Sequence, residues 1–76
     1  MKYIIFDDYG EDGVIVFPKS MQHIDVAISL EITDRVKSAG FLMYRGADIA
    51  CFGESVSLHV KAGVNDDKIV REALCN

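Results

Sequence analysis

The chain has 76 residues and a formal charge of −4; half of its residues are hydrophobic and 26% are charged, a balance that excludes a disordered chain and describes one small globular domain. So short a domain buries only about 60% of the surface its unfolded chain exposes. Its two cysteines, Cys51 and Cys75, lack the spacing of a disulfide framework, so the core or a partner subunit must stabilise it.

The first apolar run, Tyr3 to Phe6, stops at Asp7 and Asp8, far short of an export signal or a transmembrane helix. With two free thiols, this predicts a cytoplasmic protein without membrane association. Lys2 to Asp7 and Val14 to Phe17 are rich in β-branched and aromatic residues. The glycine and aspartate punctuation between them, DDYGEDG, predicts a β-hairpin with Gly10 and Gly13 supplying positive φ and the acids solvated at the tip. Pro18, which cannot donate to a ladder, ends the second strand.

Met21 to Leu30 fits two templates. Ile24, Val26, Ile28, Leu30 and Ile32 alternate with Asp25, Ala27, Ser29 and Glu31 as a strand would. Met21, Ile24, Ala27 and Ile28 also share one helical face, and Ser20 sits where an N-cap would, although His23 at N3 leaves the capping box incomplete. A helix is the favoured reading because a hairpin needs something to cover a face, and a strand is the alternative.

Arg35 to Arg45 and Ile49 to Phe52, joined by a turn at Gly46, predict a second hairpin, with a bulge or a close backbone approach at Ser38-Ala39-Gly40. Alternation resumes at Val56, Leu58 and Val60, which predicts an extended segment past Gly53. Asn65, followed by Asp66 and Asp67, predicts a cap and a dipole-complementing first turn for a terminal helix whose apolar face carries Ile69, Val70, Ala73 and Leu74. The expected fold is α+β, ordered ββαββ(β)α, with a largely antiparallel sheet and both helices on one face, in a single domain covering residues 1–76.

Charge is unevenly placed. Seven acids face two lysines between Met1 and Asp34, whereas six bases face five acids from Arg35 onward. No basic stripe exists for phosphates, so nucleic-acid binding is disfavoured. The cluster Asp7, Asp8, Glu11 and Asp12 fails as a calcium loop: starting at Asp8 puts Gly10 at the third ligand position and Lys19 where a bidentate glutamate belongs. It reads as a solvated tip, or as a docking surface for a basic partner. His23, Cys51, His59 and Cys75 come from four separate places without the pair spacing of a zinc site. Cys51 reads as a small hydrophobe in a strand and His23 as an exposed or capping imidazole. Residues 53–57, GESVS, match neither a nucleophile elbow nor a phosphate loop. No cofactor and no catalytic residue is expected.

The stretch from Ser38 to Leu74 resembles small uncharacterised proteins encoded by bacteriophages and prophages. The likeness lies in SAGF at Ser38 to Phe41, in CFGESVSL at Cys51 to Leu58, and in the acid-capped terminal helix. It implies a helix after Pro18 and an accessory role in a mobile element, and it transfers no site residue. The leading expectation is therefore a small acidic accessory protein, not an enzyme, that binds a protein partner through an exposed sheet edge or through Asp7, Asp8, Glu11 and Asp12. The alternative is a homodimer formed through a sheet edge or an apolar patch. A Cys/His enzyme or metal protein ranks third.

Overall fold

A computed structural model describes residues 1–75. Strands β1 (Lys2–Asp8) and β2 (Glu11–Phe17) form the first hairpin, helix α1 (His23–Ser29) follows, and β3 (Val36–Arg45) and β4 (Asp48–Phe52) form the second. A short pair, β5 (Glu54–Ser55) and β6 (Val60–Lys61), precedes helix α2 (Asp66–Leu74). The antiparallel four-stranded sheet has the order β2-β1-β3-β4, so β2 and β4 are its outer strands. The fold is α+β, as composition and periodicity predict.

Each hairpin is closed by the turn its residues allow. Tyr9 and Gly10 both take positive φ, 54° and 93°, which is a two-residue type I′ loop whose twist suits the flanking strands. Gly46, at φ 63°, stands first in the loop of the second hairpin, as a type II′ turn requires. The strands of the first hairpin therefore run further than expected, pairing Asp8 with Glu11 and Asp7 with Asp12. Gly13 is not a turn residue. It lies opposite Phe6, whose ring covers it so closely that an added Cβ would stand 2.3 Å from the ring.

Period-two alternation sends side chains of the sheet to two faces, and a helix covers each. Ile4, Phe17 and Ala39 pack with Val26, Ala27 and Ile32 of the α1 segment, while Tyr3, Ile5, Leu42 and Ile49 pack with Val70 of α2. The expectation that both helices share a face is corrected by this arrangement. The strands of the first hairpin carry apolar residues at consecutive positions, which leaves neither face polar and requires a cover on both sides.

Met21 to Leu30 resolves as a helix shorter than expected. Ser20 does not cap it; Gln22 is the N-cap, without a side-chain bond, after a turn in which the Met21 amide donates to the Pro18 carbonyl. His23, Val26 and Ala27 form the buried stripe, at i, i+3 and i+4, whereas Met21 and Ile28 are exposed. The helix stops in a Schellman motif: the amides of Glu31 and Ile32 donate to the carbonyls of Ile28 and Ala27, with Glu31 at φ 58°. Ile32 then turns into the core beside Ala27. That apolar contact is why Ile32 reads as the end of an alternating run.

In β3 a bulge lies just before the small residues and a close approach lies within them. Lys37 is the extra residue of a register shift against β1, between the pairs Ile5–Ser38 and Phe6–Val36. Gly40 admits a close backbone approach, since a Cβ there would sit 2.5 Å from the Phe52 carbonyl oxygen. The segment after Gly53 does not continue as one strand. It folds back between Ser55 and Val60, with the Ser55 hydroxyl accepting the Leu58 amide and His59 in the left-handed region.

Candidate functional site

The outer strands of the sheet differ in what their outward backbone meets. In an antiparallel ladder closed by a two-residue loop, the closing pair exchanges hydrogen bonds and every second residue thereafter does so. Along β4, Ile49 and Cys51 therefore point their amides away from β3. Both are occupied: the Ile49 amide donates to Asp48 Oδ1 at 2.8 Å and the Cys51 amide to Asp67 Oδ1 at 2.6 Å. Asp67 belongs to the first turn of α2, and Arg71 of the same helix pairs with Asp48 at 3.0 Å. Helix α2 thus closes the β4 edge with side chains.

Along β2 the outward amides belong to Asp12, Val14 and Val16, by the same alternation from Asp8–Glu11. The Asp7 amide donates to the Arg35 carbonyl on the β3 side, which confirms the phase of the ladder. Among the described residues, no backbone hydrogen bond outside the ladder reaches Asp12, Val14 or Val16. Val14, Ile15 and Val16 are half-buried, Val14 and Val16 packing against the α2-side core and Ile15 against the α1-side core. This is an open strand edge with apolar flanks, the kind that takes another strand.

The acidic residues sit at one end of that edge. Asp7 Oδ1 accepts the Gly10 amide at 3.0 Å, and Asp12 pairs with Lys37 at 2.6 Å, both partners partly in solvent. Arg35 lies over the rings of Phe6 and Tyr9, 6.0 and 5.5 Å from their centres. Two cations of the chain thus already stand against the tip, and among the described residues Asp12 alone of its four acids is in an ion pair, with Asp8 and Glu11 facing each other across the hairpin. Lys19, just past the other end of β2, is exposed.

The remaining ionisable residues are spread over both faces of the sheet. His23 is not exposed: it is 3% accessible, its Nε2–H donates to the Gly40 carbonyl at 2.9 Å, and it stands edge-on to Phe17 and Phe41. Burial lowers its pKa. Cys51 packs on the opposite, α2 face, and burial, with Asp67 and Asp66 nearby, pushes its thiol up to about 12. Cys75 is exposed past the end of α2. A groove of about 680 Å³ is lined by Lys37, Ser38, Ser55, His59 and Lys61, and one of about 430 Å³ by Lys2, His23, Phe41, Phe52 and Val56. Neither brings a thiol to an imidazole, and among the described residues no three His, Cys, Asp or Glu side chains are grouped to hold a metal.

Sequence reasoning missed the role of Asp66. Beyond any dipole effect, its buried carboxylate accepts the hydroxyls of Tyr3 and Ser38 and the Gly63 amide, tying α2 to the sheet; the Asn65 side chain makes no capping bond. Burial, then Asp66, raises the Tyr3 pKa. The network fixes where α2 begins, and so aims Asp67 at the β4 edge. Among the described residues no helix is long and apolar enough to cross a membrane. Comparison with protein-family models, with curated proteins and with solved structures found no match.

Proposed function

We propose that this chain is a protein-interaction module that accepts an extended strand on the free edge of β2. The observation that carries the reading is the asymmetry of the two outer strands: the amides of Ile49 and Cys51 are taken by Asp48 and Asp67, while those of Asp12, Val14 and Val16 have no such partner among the described residues. Edge pairing draws its affinity from main-chain hydrogen bonds and its selectivity from alternate side chains. Here Val14 and Val16 flank the edge on one face and Ile15 on the other, while Asp8 and Glu11 favour a basic residue at the tip. The likeness of Ser38 to Leu74 to small phage-encoded proteins supports an accessory role in a mobile element.

The test is capture of partners with the native chain and with Val14→Pro, which deletes an outward amide without removing a bond to β1. Bound material should be lost with the proline variant and kept with Asp8→Asn. Equal recovery with both would remove the edge reading; loss with Asp8→Asn alone would move the site to the acidic tip.

A further inference from the structure

We infer that the strand accepted by β2 is the β2 strand of a second copy, paired antiparallel about a two-fold axis at Val14. The inference rests on the edge reading above and names its occupant. A two-fold pairing of identical edges must match outward residues with outward residues, which are Asp12, Val14 and Val16. With the axis at Val14, Asp12 of each copy faces Val16 of the other and Val14 faces Val14, so all three amides of each edge are used and about six backbone hydrogen bonds form.

Neighbouring registers are excluded by residues at the ends of the strand. Sliding the axis to Ile15 sets Asp12 against Pro18, which has no amide and whose carbonyl already accepts the Met21 amide. Sliding it to Gly13 sets Val16 against Gly10, a turn residue at φ 93° whose amide already donates to Asp7, and brings the Asp12 side chains of the two copies to a like-charged diagonal of about 7–8 Å.

Charge along the edge suits the Val14 register. One end carries Glu11 and Asp8, and the other leads into Lys19. Antiparallel pairing places Glu11 opposite Phe17 of the second copy, two residues before its Lys19, which is exposed in the turn that follows β2. Two long side chains of opposite charge are thereby brought to each end of the ladder. An edge acidic at one end and basic at the other is self-complementary only when reversed, which is the operation the two-fold performs. The half-buried Val14, Ile15 and Val16 then gain neighbours on both faces, a gain that matters to a 76-residue domain.

Light scattering over a concentration series, with the dissociation constant read from the monomer–dimer midpoint, tests this. The native chain should dimerise. Glu11→Lys and Lys19→Glu should each raise the constant on the order of five- to tenfold, since each breaks two symmetric pairs, and the two together should return it to within about twofold of native by rebuilding them reversed. Val14→Pro should be monomeric; because it also disturbs packing, its fold is checked by circular dichroism, and the surface charge pair carries the test if it unfolds. A chain monomeric at millimolar concentration overturns the inference, as does a dimer indifferent to both charge changes. The edge reading itself fails on a different result, partner capture that ignores the Val14 amide.

Discussion

The Asp67 carboxylate accepts the outward amide of Cys51 at 2.6 Å, and this contact between the first turn of α2 and the rim of β4 leaves the sheet with one open edge instead of two. It needs both neighbours in register: Asp66, whose buried contacts fix the start of the helix, and Arg71, which holds Asp48 one turn later.

Asp67→Ala leaves the Cys51 amide without its partner at a partly covered site. The expected cost is about 1–2 kcal/mol, read as a lower urea midpoint. The exposed β4 edge should also make the variant associate into species larger than the native chain forms, seen by light scattering.

Asp66→Ala strips three donors, two of them buried hydroxyls, of one acceptor. A loss on the order of 3 kcal/mol or more follows, enough to leave much of so small a domain unfolded. Tyr3→Phe removes one donor and should cost about 1–2 kcal/mol by urea unfolding.

Glu31 closes α1 in the left-handed region, where a Cβ is unfavourable. The Schellman bonds come from the backbone and survive a change of side chain. Glu31→Gly should therefore raise stability by about 1 kcal/mol, visible as a higher urea midpoint.

Burial lowers the His23 pKa from 6.5, so the fold favours the neutral ring that donates to Gly40. Its contribution is present above pH 6.5, where the unfolded chain's imidazole is also neutral, and is lost as the pH falls through the lower folded value. Urea midpoints should fall from pH 7 to pH 5, and His23→Phe should flatten that slope. At the alkaline end the Cys51 thiol, raised from 9.0 to about 12, works the other way: stability is full below pH 9 and declines toward pH 12. At neutral pH a thiol reagent should label exposed Cys75 fast and Cys51 slowly, and Cys75→Ser should abolish the fast phase.

Strand and helix types were legible in the residues wherever the pattern was local. Gly10 and Gly46 announce their turns, although Tyr9 and not Gly13 takes the other positive φ of the first loop, and the β-branched runs beside them announce the hairpins. Residues 21–30 were ambiguous because alternation and a helical stripe coincide there. The helix is settled by contacts that no spacing reveals: His23 reaching the Gly40 carbonyl and Ile32 closing on Ala27. The exposed edge was anticipated only in kind. Which edge stays open depends on the pairing of β1 with β3 and on Asp67 meeting Cys51, residues 16 apart in the chain. Asp66 and Tyr3, 63 apart, were invisible for the same reason.

Residue-resolved amide hydrogen exchange tests the open edge most directly. In dilute protein the amides of Asp12, Val14 and Val16 should exchange freely while those of Ile49 and Cys51 are protected; at high concentration the first three should slow by at least about tenfold as the edge fills. Equal protection of the two edges when dilute, or association that leaves Val14 and Val16 unprotected, would contradict the account.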